Sequence, residues 1–152
     1  MGVRLGEEET WAFLEQGHTA VLTTLRRDGS PASVPMWFVV DGRSLCVRTL
    51  AHSKKAANMR RDPRVSLVVE EGLAWADLKA VVLAGQASEV ADEAEQARLQ
   101  AAFDEKYRDF KAPPDLPQAT RRHYAAAWSF FRIEPRGRTL TWANAKLLGE
   151  RA

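Results

Sequence analysis

Ala32-Ser-Val-Pro-Met-Trp-Phe-Val-Val-Asp-Gly-Arg-Ser-Leu-Cys-Val-Arg-Thr49 and, after three intervening residues, Ser53-Lys-Lys-Ala-Ala-Asn-Met-Arg-Arg-Asp-Pro-Arg-Val-Ser-Leu-Val-Val-Glu70 decide the fold. Together they read as strand, strand, helix, strand. From Ser33 to Val40, Val34, Met36, Phe38 and Val40 alternate with Ser33, Pro35, Trp37 and Val39, the period of a strand. Asp41-Gly42 is expected as a tight turn, since Asp and Gly tolerate positive φ, and Ser44 to Thr49 as the returning strand. Ser53 is placed as the N-cap of a helix through Arg61, stopped by Asp62-Pro63. Arg64 to Glu70 is the third strand.

The helix carries its charges at the wrong end. Lys54 and Lys55 occupy the first turn, where free N–H groups and the macrodipole already concentrate positive potential. Each cation there costs a few tenths of a kcal/mol unless an anion sits against it. With Arg48 and His52 close in sequence, these residues suit a phosphate cradle, and a solvated basic turn is the plainer alternative. No Gly-rich loop of the Walker or dinucleotide kind is present, so ATP and NAD have nothing to rest on.

Thr23-Thr-Leu-Arg-Arg-Asp-Gly-Ser-Pro31, Pro35-Met-Trp-Phe38, Arg48-Thr49, Ser53-Lys-Lys55 and Asn58-Met-Arg-Arg-Asp-Pro-Arg-Val-Ser-Leu67 also carry a resemblance. In this order and spacing the chain resembles the pyridoxamine 5'-phosphate oxidase-like, flavin-binding split β-barrel family, within it the actinobacterial branch that uses the deazaflavin coenzyme F-420. The similarity runs with gaps from about Leu22 to Val90. It implies that Ser53, Lys54 and Lys55 hold the cofactor phosphate and that Arg48, Thr49 and His52 border it. Ser33, Val34, Pro35, Met36 and Trp37 would lie along the ring, with Asn58 bracing the loop one helical turn on. It further implies a homodimer with the cofactor at the subunit interface, and a helical segment before the last strands that borders the substrate pocket. Relatives often end in a Trp-Asp-His-Arg-Lys-Leu-like segment. Here Trp142, Lys146 and Leu147 remain around Ala-Asn-Ala, so a role carries over to Trp142 alone.

The 152 residues allow one domain with a real core, 1–152, and no second sizeable one. A net charge of +2 does not imply nucleic acid or an anionic membrane. Arg48 to Arg64 nevertheless holds Arg48, Lys54, Lys55, Arg60, Arg61 and Arg64 against Asp62 alone, a patch suited to a phosphorylated small molecule. Cys46, the one cysteine, cannot form an internal disulfide and is expected as a packed residue. His18, His52 and His123 show no zinc spacing. The N-terminal residues lack an apolar signal core, and no run approaches the roughly 18 apolar residues of a span. A cytoplasmic protein without membrane or nucleic-acid partners is expected.

Elsewhere, Glu7 to Gln16 reads as a helix with Trp11 and Leu14 on its apolar edge, and His18 to Leu25 as a strand. Pro35 cannot donate to a ladder, which predicts an edge or a bulge there. Leu78 to Val90 is long for one strand, and Gly85 marks an expected bulge or bend, with the Gln86 amide after it as a lesser cofactor contact. Asp92 caps a helix to Phe110 whose Leu99, Phe103, Tyr107 and Phe110 form a packing stripe. Lys111 to Pro117, with three prolines, is a loop, and Gln118 to Ala127 a second short helix. Ala127 to Ile133 and Arg138 to Trp142 are the last strands. The expected fold is mainly β (α+β): a six- to seven-stranded antiparallel split β-barrel with a few peripheral helices.

No Ser/His/Asp order, paired carboxylates or metal cluster forms an independent catalytic engine, and no residue is singled out as catalytic. Few acid–base groups beside a phosphate cradle suit chemistry carried by a cofactor. The resemblance implies hydride transfer from reduced F-420 to an unsaturated or carbonyl-type small molecule. An FMN-dependent oxidase or reductase and a non-catalytic flavin- or heme-binding protein are the alternatives.

Overall fold

A computed structural model describes residues 3–149. The architecture is an antiparallel split β-barrel of eight strands with peripheral helices. Its elements are α1 (Glu7–Gln16), β1 (Ala20–Leu25), β2 (Pro31–Met36), β3 (Phe38–Asp41), β4 (Ser44–Leu50), α2 (Lys54–Arg61), β5 (Arg64–Glu71), β6 (Lys79–Glu89), α3 (Glu93–Lys106), α4 (Gln118–Tyr124), β7 (Trp128–Pro135) and β8 (Leu140–Ala143). The strands run β2-β1-β5-β6-β7-β4-β3, with β8 also on β6.

The expected single strand from Ser33 to Val40 is two. It breaks at Trp37, and its halves lie at opposite ends of the path: β2 pairs with β1, and β3 with β4. One residue joins the two ends, so the sheet closes at Trp37 without a ladder across the seam. That break accounts for eight strands where six or seven were expected. Pro35 sits on β2, an edge strand, as its missing N–H requires.

The β3–β4 turn is displaced by one residue from the expected Asp41-Gly42. Asp41 pairs with Ser44, leaving Gly42-Arg43 as a two-residue loop with Gly42 at φ +64°. Positive φ at the first loop position alone is the type II′ pattern that favours Gly there. Gly85 is not at a bulge: β6 keeps continuous register with β5 from Lys79 to Gln86. On its other edge β6 pairs first with β8 and then with β7, two halves of an interrupted partner. A Cβ on Gly85 would stand 2.8 Å from the Glu134 carbonyl oxygen, so close approach explains the glycine.

Two apolar clusters hold the elements. Inside the barrel, Leu22, Phe38, Leu45, Val47, Leu67, Leu83, Phe131 and Ile133 pack with Phe13 and Leu14 of α1, while Trp11 is only partly buried. On the outer face of β4, Cys46 packs with Val39, Phe130 and the Leu99, Phe103 and Tyr107 stripe of α3. Burial pushes the Cys46 thiol up to about 11, consistent with a packing role. Asp92 caps α3 by accepting from Glu95 N at 2.8 Å. The helix stops at Lys106, four residues short of expectation; Phe110 is 56% exposed and leaves the stripe. No helix among the described residues is long and apolar enough to cross a membrane.

Candidate functional site

The helix after β4 forms as its sequence dictates. Ser53 Oγ accepts from Ala56 N at 3.2 Å, and α2 ends at Arg61 with Asp62 after it. The first turn contains no acidic residue. Among the described residues neither Lys54 nor Lys55 makes an ion pair or a side-chain hydrogen bond, and their backbone N–H groups have no acceptor. Thr49 Oγ1 lies 3.1 Å from Ser53 Oγ, fixing the cap from β4. Asn58 is buried: its amide donates to Thr24 Oγ1 at 3.0 Å, and its carbonyl accepts from Arg61 at 2.9 Å. It braces α2 against the end of β1.

Two adjoining clefts open beside this helix. One, of about 420 Å³, lies between α2 and the edge strand β2, with Ser33, Val34, Lys54, Lys55 and Asn58 on its walls. The other, of about 510 Å³, continues past Lys55 to Pro35, Met36, Trp37, Arg48, Thr49, His52 and Ser53. Every residue singled out in the sequence is thus brought to one cleft or the other, except Gln86 and Trp142. Gln86 is exposed on β6, opposite Arg64 and Glu134, and Trp142 is 37% exposed on β8 opposite Ala80. Neither lines these clefts.

The structure adds residues that sequence reasoning left out: Thr24 in the first cleft, and His123, Tyr124 and Trp128 in the second. Tyr124 and Trp128 stack at 6.3 Å and 12°, and His123 meets His52 edge-on at 6.3 Å. The signal available was the resemblance, which put a helix beside the pocket; α4 supplies it.

The basic patch is smaller in space than in sequence. Arg60 forks onto Glu89 at 2.6 and 2.7 Å, and Arg64 onto Asp62 at 2.7 and 3.0 Å. Arg61 donates to the Leu25 carbonyl and to Asn58. These three cations are held by the protein itself. Arg48 is turned away from Ser53 and stacks between Phe103 and Trp128. No group of three or more His, Cys, Asp or Glu among the described residues could hold a metal ion.

Trp37 is fixed from behind. Its ring stacks on Tyr107 at 4.3 Å and 2°. The Tyr107 hydroxyl accepts from Phe38 N at 2.9 Å and lies 2.8 Å from the carbonyls of Phe38 and His18. Lys106 Nζ also donates to the Phe38 carbonyl, at 2.9 Å. Burial pulls the Lys106 ammonium down to about 8 and pushes the Tyr107 hydroxyl up to about 12.

With this geometry in hand, the relatives are informative. The match to a biliverdin reductase of Mycobacterium tuberculosis that depends on reduced coenzyme F-420 is 36% identical over 74 residues, 47% of this chain. The aligned stretch is 54% of that relative, so the chain matches about half of the curated protein's length. A conserved hypothetical protein of Mycobacterium tuberculosis, known by its crystal structure, superposes with a TM-score of 0.83 at 29% identity, over 99% of this chain and 92% of that one. An F-420 reductase superposes at 0.62 with 22% identity, over 85% and 94%, a likeness of fold. The family profile described as pyridoxamine 5'-phosphate oxidase matches residues 7–136, and the chain belongs to that family.

Proposed function

We propose that the chain is an oxidoreductase that binds reduced coenzyme F-420 in the joined clefts and serves hydride transfer to an unsaturated or carbonyl-type organic substrate. One observation carries this reading. Lys54 and Lys55 stand uncompensated at the N-terminus of α2, facing a cleft whose other wall is the edge strand β2. The first demands an anion, and the second offers backbone to a flat heterocycle. The partial match to an F-420-dependent reductase supports the choice of cofactor.

The donor set fits the group. Ser53, Lys54, Lys55 and the free N–H groups of the first turn hold a phosphate, while Thr49 and Asn58 keep the cap and the helix in place. Residues Ser33 to Trp37 present one strand edge to the ring. When bound, the reduced deazaflavin supplies the hydride; the chain orients it and excludes water with Trp37, Tyr124 and Trp128. A homodimer with the cofactor at the subunit interface belongs to the same proposal. None of the five tryptophans is fully buried, and Trp75, Trp128 and Trp142 are 58, 37 and 37% exposed, as residues of an interface or pocket would be.

FMN is the second reading, and the internal pairing of Arg60, Arg61 and Arg64 favours keeping it. Those arginines are engaged and so offer little to the longer acidic tail of F-420. Titration with both cofactors decides between them: tighter F-420 binding supports the first reading and tighter FMN binding the second. Lys54→Ala and Lys55→Ala should each weaken binding at least tenfold, about 1.4 kcal/mol. Unchanged affinity in both folded variants removes the site from α2.

A further inference from the structure

Along β4, alternation sends Thr49 toward Ser53 and the barrel interior, and Arg48 to the opposite face with Cys46 and α3. Arg48 therefore faces a different part of the cleft from the phosphate cradle. Its guanidinium stands 5.1 Å from the Phe103 ring centroid and 5.0 Å from that of Trp128. We propose that Arg48 is a second anion subsite, which holds the carboxylate of a flat, conjugated organic acid lying on the Trp128–Tyr124 wall. This names the substrate class of the cleft and rests on reading it as a reductase site.

The first ground is an unspent charge. Arg60, Arg64, Arg98 and Arg132 each hold a carboxylate. Among the described residues Arg48 has one polar partner, the neutral Gln100, whose Oε1 accepts from Nη1 at 2.8 Å. Asp104 acts on it only from a distance and is itself engaged by Lys111 at 3.0 Å and by Gln100. Arg48 Nε and Nη2 have no protein acceptor, and since no side-chain nitrogen or oxygen is buried without a partner among the described residues, both keep some exposure on a residue that lines the second cleft. A half-buried guanidinium without an anion pays desolvation for nothing.

The second ground is the setting. No Asp or Glu lines either cleft, while Lys55, His52 and His123 share the second with Arg48. Contact with two rings, at 5.1 and 5.0 Å, positions the guanidinium, and a planar fork matches a carboxylate better than it matches a point charge. Beside it, the nearly parallel Tyr124 and Trp128 rings make a wall for a second flat system. An acid whose carboxylate is conjugated to its double bonds meets both demands at once.

The test uses trans-cinnamate and trans-3-(2-naphthyl)acrylate, each against its methyl ester, titrated by tryptophan fluorescence and calorimetry into the full chain, free and loaded with oxidised F-420. Each acid should bind at least tenfold more tightly than its ester. In Arg48→Met the ratio should fall to within twofold, in Arg48→Lys it should be intermediate, and F-420 affinity should change less than twofold in both. The two variants guard against a packing defect, since Arg48→Lys retains the stem and the charge. Equal binding of acid and ester by the wild type overturns the proposal. So does an Arg48→Met variant that loses F-420 tenfold and keeps the acid preference, which would assign Arg48 to the cofactor. If neither F-420 nor FMN, titrated in parallel, binds while the acid preference stands, the reductase reading fails and the subsite survives.

Discussion

Replacing Tyr107 by Phe removes one oxygen from a side chain that is 1% exposed. That oxygen accepts from the Phe38 amide at 2.9 Å and reaches the carbonyls of His18 and Phe38 at 2.8 Å. The Phe38 carbonyl keeps Lys106 as a donor, so its loss is small. The Phe38 N–H keeps nothing. One net hydrogen bond is worth about 1 kcal/mol, and a buried donor left without an acceptor costs about 1–3. The variant should therefore lose about 2–3 kcal/mol, an amount that urea denaturation resolves. With its pKa pushed up to about 12, the hydroxyl stays protonated throughout the assay range. The consequence for function runs through the neighbour: Phe38 follows Trp37, which stacks on Tyr107 and lines the second cleft. Cofactor affinity should fall with stability, whereas Ser53 and α2 are untouched. A loss below about 0.5 kcal/mol would mean that water replaces the hydroxyl and that Trp37 is not held through this contact.

Asp41 is gripped by a fork from Arg98 and by Arg132, which hold its carboxyl down to about 2. A depressed folded pKa contributes stability that is full above about 3.8 and is lost as pH falls toward 2. Asp41→Asn should cost about 2 kcal/mol at pH 7, and its stability curve should converge with the wild type near pH 2. In Gly85→Ala the new methyl meets the Glu134 carbonyl oxygen and Ile133 Cγ2, each at 2.8 Å, so a loss of about 1–3 kcal/mol is expected; a melting temperature within a degree of wild type would refute the close approach. Sedimentation at micromolar concentration should give about twice 17.0 kDa, and a monomer that binds cofactor fully would contradict a shared site.

Local chemistry made most of this legible. Ser53 as cap, Asp62-Pro63 as stop and the cations in the first turn of α2 are all neighbours in sequence, and each stands where it was read. What failed was non-local. The alternation from Ser33 to Val40 is unbroken in the sequence, and nothing in it shows that Met36 and Phe38 pair with strands at opposite ends of the sheet. The run of six cations between Arg48 and Arg64 looked like one basic patch because Glu89, the partner of Arg60, lies 29 residues away. Tyr107 was read correctly as packing. That its hydroxyl closes the seam 69 residues upstream could not be seen from helical spacing.

The position of the site follows from how the barrel closes. In a fully laddered barrel every strand gives its N–H and carbonyl groups to two neighbours, and no edge remains. Here the path ends at β2 on one side and β3 on the other, joined only through Trp37. β2 pairs with β1 alone, so its outer backbone groups need partners from elsewhere. Both clefts run along that edge, past Ser33 and Val34 in one and Pro35 and Met36 in the other. Pro35 has no N–H to leave unpaired, which lowers the cost of keeping the edge open. Lys54 and Lys55 face the same gap from α2. In the proposed reading, a flat ligand carrying a phosphate would answer the missing strand and the missing anion together, with one set of contacts.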